Sequence, residues 1–214
     1  MSDAMLVAQG LSLSRGVRQL FVGLNLSVMP GSATILRGPN GVGKTSLLRV
    51  LAGLTVPDEG NIAIGGEVTT ALSLMARQTV LYIGHANALK DELTTDENLS
   101  TQLALDGQSV RPEVRLDALR SVGLWDRRNV QGRRLSQGQK RRIGLARLWV
   151  NIGRQGKRVW LLDEPTNALD QAGASLFMDI IDAQLASGGA AVIATHLPLE
   201  LSGASVDFNM AVPE

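Results

Sequence analysis

The run Gly38-Pro39-Asn40-Gly41-Val42-Gly43-Lys44-Thr45 constrains this chain more than any other stretch. It has the spacing G-x-x-x-x-G-K-[ST], in which a glycine-rich turn joins a buried strand to a helix. The flanks agree. Ala33 to Arg37 is a short apolar run expected as a strand, and Thr45 to Leu54 sets Leu47, Leu48 and Leu51 on one helical face. Such a turn aims successive backbone N–H groups, and the positive end of the helix dipole, at one anion. Gly38, Gly41 and Gly43 permit bends that a Cβ would obstruct. Lys44 is placed to neutralise β and γ phosphates, and the Thr45 hydroxyl to reach Mg2+. The expected nucleotide-binding loop runs from Gly38 through Ser46. The competing reading is an ordinary glycine-rich turn with a stray lysine, and the strand and helix on either side weaken it.

A second segment asks for the same chemistry. Arg158-Val159-Trp160-Leu161-Leu162-Asp163-Glu164-Pro165 is an apolar strand ending in two carboxylates. Asp163 can hold Mg2+, commonly through water, and Glu164 can accept a proton from an attacking water. Alone, Asp-Glu-Pro is equally an acidic turn. With a phosphate loop upstream, the functional reading is preferred.

A third segment carries a family resemblance. Leu135-Ser136-Gln137-Gly138-Gln139 resembles the signature of ATP-binding-cassette (ABC) ATPases, and its basic surroundings, Gln131 to Arg134 and Arg141 to Leu148, are similar to that family's. Ser136 is a natural cap for the helix that follows it. The resemblance implies that Ser136, Gly138 and Gln139 meet the ATP of an opposite subunit, so that two copies sandwich two nucleotides in a homodimer. Asn167-Ala168-Leu169-Asp170 resembles the family's partner-contacting loop, and His196, after an apolar strand from Ala190 to Thr195, resembles its γ-phosphate histidine. The implied fold is α/β: a P-loop ABC-type nucleotide-binding domain with an antiparallel β subdomain, expected from Met5 to Ser27, and a helical signature subdomain. The expected organisation is one domain over 1–214, with the helical part, approximately 93–150, inserted in the α/β core. The implied cofactors are ATP and Mg2+, the latter held by Thr45 and Asp163.

Composition narrows the setting. A net charge of +1 gives no cue for nucleic acid, and no nucleic-acid partner is expected. The arginines around the signature are better read as phosphate, helix-face or partner contacts. There is no cysteine, hence no disulfide framework or thiolate metal cluster. Neither a membrane-length apolar run nor a secretory signal at Met1-Ser2-Asp3-Ala4 is visible. A cytoplasmic chain is expected, for which other polypeptides supply any membrane channel.

Departures from the common cassette pattern are informative. In Val80-Leu81-Tyr82-Ile83-Gly84-His85, His85 stands where the family usually has a glutamine that senses Mg2+ and the γ-phosphate. An imidazole there makes one hydrogen bond, and its charge depends on pH. The alternative is a solvent-exposed loop histidine. Gly84-His85, Leu89 to Thr94, Leu20 to Leu26 and Trp149 after the signature resemble the ATPase subunits of cytochrome c maturation systems. The candidate catalytic residues are thus Glu164, His196 and His85; the resemblance to cytochrome c maturation ATPases implies a peripheral place on the cytoplasmic face of a bacterial inner membrane. It also implies CcmB/CcmC-type membrane partners and release of a haem-loaded chaperone. The base site is less defined. No aromatic residue accompanies Ser14-Arg15-Gly16, so Arg15 is the candidate to stack on adenine, while Phe21 is expected in the core. Alternatives are the ATPase of another transporter, for lipid or metal, a non-hydrolysing regulatory cassette, and a soluble cassette acting on DNA or ribosomes. The separation of Thr45 from Ser136 is too short for the coiled coil of DNA-repair cassettes, and Glu164 with His196 argues for hydrolysis.

Overall fold

A computed structural model describes residues 4–69, 78–154 and 158–211; Met1 to Asp3 of the segment read for a targeting signal lie outside them. Two sheets organise the chain. Strands β1 (Leu6–Arg15), β2 (Arg18–Val28), β4 (Glu59–Ile64) and β5 (Glu67–Thr69) form an antiparallel sheet in the order β2-β1-β4-β5. Strands β3 (Ser32–Arg37), β6 (Val80–Ile83), β7 (Val159–Asp163), β8 (Ala190–Ala194) and β9 (Ala204–Asn209) form a parallel sheet in the order β6-β7-β8-β3-β9.

Strands β3, β6, β7 and β8 of the parallel sheet are largely buried, and they divide their side chains between its two faces with a period of two. From β7, Val159 and Leu161 enter a core shared with the antiparallel sheet and α1 (Lys44–Leu51). Trp160 and Leu162 enter a second core on the opposite face. That second core is lined by α2 (Thr95–Leu105), α3 (Pro112–Ser121), α4 (Gln137–Asn151) and α5 (Gln171–Ala186). Trp160 has no exposed surface; full burial of a large apolar side chain contributes roughly 1.5–3 kcal/mol.

The helices begin where the sequence supplies caps. Thr94 and Glu97 form a capping box for α2, and Ser136 with Gln139 forms one for α4. Pro112 opens α3, where its missing N–H costs nothing. The Asp170 carboxylate accepts from the Gly173 N–H at the start of α5. Helices α2 and α4 are tied by a bidentate ion pair, Arg147 Nη2 and Nε to Asp106 at 2.6 and 2.7 Å, largely out of solvent.

Register explains how the motifs meet. Leu36 and Asp163 both pair with Ala194, and Leu162 pairs with Ile83. The C-terminal ends of β3, β6, β7 and β8 therefore lie along one edge of the sheet. The phosphate loop, Gly84-His85, Asp163-Glu164 and His196 emerge there side by side, in the crevice where open parallel sheets take their ligands.

Candidate nucleotide site

The turn between β3 and α1 has the conformation its glycines foreshadow. Gly38, Gly41 and Gly43 all lie at positive φ, and a Cβ on Gly38 would sit 2.7 Å from the Met210 carbonyl oxygen. Val42, buried, pins the loop to the core. Gly43 gives α1 no side-chain cap, so the first N–H groups of the helix are left for an anion. The Lys44 ammonium donates to the Gly38 and Pro39 carbonyls at 2.7 and 3.1 Å, folded against the loop it serves.

Thr45 and Asp163, 118 positions apart, meet directly. The threonine hydroxyl lies 2.9 and 3.2 Å from the two carboxylate oxygens. Asp163 is almost wholly buried, and burial pushes its carboxyl above the ordinary range; the hydrogen bond from Thr45 and the nearby His85 and Arg141 pull the other way. A buried carboxylate and a hydroxyl beside a phosphate loop are hard oxygen donors at the place a divalent cation needs them. This donor set fits Mg2+.

Glu164 adopts φ 48°, a left-handed conformation unusual for a residue with a side chain. Its N–H donates to the Ala194 carbonyl at 2.8 Å, and its carbonyl accepts from Arg141. Its carboxylate lies 3.1 Å from His196 Nδ1. The carboxylate is mostly shielded while the imidazole is open to solvent, at 14% and 58% exposure.

A cavity of about 510 Å3 opens beside Lys44, Thr45, Asp163 and Glu164. Arg15, Asn40, Lys44, Ser46, His85 and Glu164 are among its walls. His85 also borders a second cavity, of about 410 Å3, with Arg49, Tyr82, Gln102 and Arg147. Of the expected residues, Asn40, Gly41, Gly43 to Ser46, His85, Asp163 and Glu164 line the first cavity, whereas Gly38, Pro39 and Val42 do not and His196 is joined to it through its contact with Glu164. Ser136, Gly138 and Gln139 border neither cavity. Ser136 is exposed at the start of α4, and Gly138 packs so closely on the 164–170 loop that a Cβ would come 2.8 Å from the Ala168 carbonyl oxygen.

The base end matches expectation in part. Phe21 is buried in the core and Arg15 lines the cavity. Arg18 was not singled out from sequence; it also lines the cavity and donates to the Gly41 carbonyl at 3.1 Å. Its only signal was a cationic residue just after the Gly16 turn. Among the described residues no helix is long and apolar enough to cross a membrane.

The ABC transporter family model matches residues 21–167. A Nitrosomonas europaea protein, the cytochrome c biogenesis ATP-binding export protein CcmA, is 43% identical over 202 residues, covering 94% of this chain and 93% of its own length. The protein of that name from Methylococcus capsulatus is 42% identical over 212 residues, covering 99% of this chain and all of its own. Among solved structures, a putative ABC transporter ATP-binding protein from Pyrococcus furiosus superimposes with a TM-score of 0.79 at 24% identity, covering 96% of each chain. The bacterial ABC transporter cassette MJ0796, solved as a dimer, gives 0.78 at 24% identity over 90% of this chain and 88% of its own.

Proposed function

This chain belongs to the ABC transporter ATPase family, among the CcmA-type proteins of cytochrome c biogenesis, and from that premise we propose how it works. It is the ATP-hydrolysing subunit of a membrane complex for c-type cytochrome biogenesis, and hydrolysis supports release of a haem-loaded chaperone. The observation that carries the ATPase chemistry is the pairing of Thr45 with Asp163 beside the phosphate loop, next to Glu164 and His196.

The chain acts as one ATPase domain over 1–214, with the helices of approximately 93–150 inserted in the core. The loop from Gly38 to Ser46 cradles the phosphates through backbone N–H groups, and Lys44 leaves its loop carbonyls to neutralise the β and γ oxygens. Thr45 and Asp163 hold Mg2+, which when bound spreads the negative charge of the phosphates. Glu164 accepts the proton of the attacking water, and His196, 3.1 Å away, steadies that carboxylate and faces the γ-phosphate. Arg15 offers a guanidinium plane to the base. Ser136, Gly138 and Gln139 sit at an exposed helix start away from the cavity, an arrangement that suits completion of the site of a second copy in an ATP-dependent homodimer. MJ0796 is dimeric in its solved form, which supports this reading.

His85 borders both cavities, so a contact made in the second one reaches the γ-phosphate side of the first. Integral subunits of the CcmB/CcmC type dock on that side, and the chain lies peripherally on the cytoplasmic face of the inner membrane. Replacing the gene in its host by one encoding Lys44→Ala tests the proposal. The expected result is apocytochromes without covalent haem and a haem chaperone that accumulates loaded. Normal c-type cytochromes would overturn the biogenesis role, and loss of another transported compound would assign the ATPase to a different transporter.

A further inference from the structure

Arg141 lies on α4, past the Ser136–Gln139 cap, and is 4% exposed. It is a buried cation whose hydrogen bonds all go to neutral oxygens. Nε donates to the Pro165 carbonyl at 2.9 Å, and Nη2 to the carbonyls of Asp163, at 3.0 Å, and Glu164. Nη1 donates to the Gly84 carbonyl and to Asn87 Oδ1, both at 3.3 Å. Burial lowers its pKa from the usual guanidinium range, with the charges of Asp163 and Glu164 opposing. An apolar side chain here would leave these oxygens short of a donor, so the guanidinium also steadies the fold. Nor could an apolar side chain grip two loops at once. One edge of the planar fork holds 163–165, and the remaining nitrogen holds 84–87.

These two loops carry Glu164 and His85. The Glu164 backbone sits in a left-handed conformation that costs on the order of 1 kcal/mol or more and persists only when its surroundings hold it. Its N–H is held by Ala194 and its carbonyl by Arg141. The peptide that Arg141 grips therefore sets the direction in which the Glu164 carboxylate projects toward His196.

We propose that Arg141 is a positioning residue for ATP hydrolysis. Its guanidinium holds the turn that aims Glu164 and ties that turn to the loop bearing His85. Because Arg141 rides on the same helix as Ser136, displacement of that helix moves both loops together. The proposal rests on the reading of Glu164 as the proton acceptor.

The test uses the full-length chain with Mg-ATP. Phosphate release gives kcat and KM for Arg141→Gln, Arg141→Lys, Asn87→Ala and Glu164→Gln, and thermal unfolding is followed in parallel. A carboxylate misplaced by about 1 Å loses on the order of 100-fold in rate. The expected result for Arg141→Gln is a kcat lower by roughly that factor, with KM within about threefold of the parent. Lysine, a point charge that cannot span both loops, recovers only a small part. Asn87→Ala, which removes one acceptor on the His85 side and leaves the grip on 163–165, lowers kcat by about threefold at unchanged KM. A kcat within twofold of the parent in Arg141→Gln, with Glu164→Gln inactive, overturns the proposal. So does a loss in which kcat, KM and unfolding temperature all worsen together, as a merely structural role requires. Should neither arginine variant fold, an unchanged kcat in Asn87→Ala overturns it. Activity retained in Glu164→Gln defeats the proton-acceptor reading instead, whatever the arginine variants do.

Discussion

Ser136→Asp separates the two jobs assigned to Ser136. In the monomer, the hydroxyl accepts from the Gln139 N–H at 3.2 Å while Gln139 Oε1 accepts from the Ser136 N–H at 3.0 Å. Loss of the cap in Ser136→Ala costs about 1 kcal/mol, which in a domain of this size is roughly 2–4 °C in Tm. Aspartate caps as well as serine, and its charge suits the positive end of a helix, so Ser136→Asp should unfold within about 2 °C of the parent. In the ATP-bound dimer the same carboxylate would face a phosphate. At about 4 Å and an effective dielectric of about 20, that repulsion is on the order of 4 kcal/mol, a thousandfold per site. It acts twice in a symmetric pair. Sedimentation of Ser136→Asp in the Glu164→Gln background, with and without Mg-ATP, should show a folded, nucleotide-binding monomer where Glu164→Gln alone dimerises at about tens of micromolar. Dimerisation equal to the parent's, or steady-state hydrolysis by Ser136→Asp within about twofold of wild type, would refute the placement of Ser136 against a partner's phosphate.

Two further outcomes follow from the packing and the charges. Asp106→Ala leaves the Arg147 guanidinium buried without its bidentate partner, so chemical denaturation should show a loss of about 3 kcal/mol. A change under about 0.5 kcal/mol would mean that α2 and α4 do not depend on the pair. At Asp170, the Gly173 N–H and then the Arg142 side chain hold the carboxyl below its usual range. A depressed carboxyl contributes stability above its ordinary pKa and loses it as pH falls through the folded value. Asp170→Asn, which keeps the cap acceptor, should therefore be the less stable protein at neutral pH and indistinguishable from the parent in acid below that range. A stability difference that stays constant with pH would contradict this.

Much of the site was legible in the sequence because its groups sit in short linear patterns. The phosphate loop, Asp163-Glu164, the Ser136–Gln139 cap and the apolar runs of β3, β7 and β8 are local arrangements of residue type, and each lies where its pattern predicts. What escaped was set by distant contacts. Strand β9 alternates apolar Ala204, Val206 and Phe208 with polar neighbours, but it is short and mostly exposed along its length; it is an edge strand held by pairing with β3. Strand β4 opens with the exposed residues Glu59, Gly60 and Asn61 and is held by β1. Arg141 looked like one member of a basic run around the signature. Only the fold reveals that it is buried against two loops at the sheet edge, whereas its neighbour Arg142 pairs with Asp170.

The most direct test of the account is phosphate release by purified wild-type and Glu164→Gln proteins under saturating Mg-ATP, with nucleotide binding measured on the same samples. The wild type should hydrolyse ATP. The variant should bind ATP with affinity within about threefold, since Lys44 and the loop N–H groups are untouched, while turnover falls by about 100-fold or more. Turnover of Glu164→Gln within about twofold of wild type would contradict the account, because the proton of the attacking water would then go elsewhere.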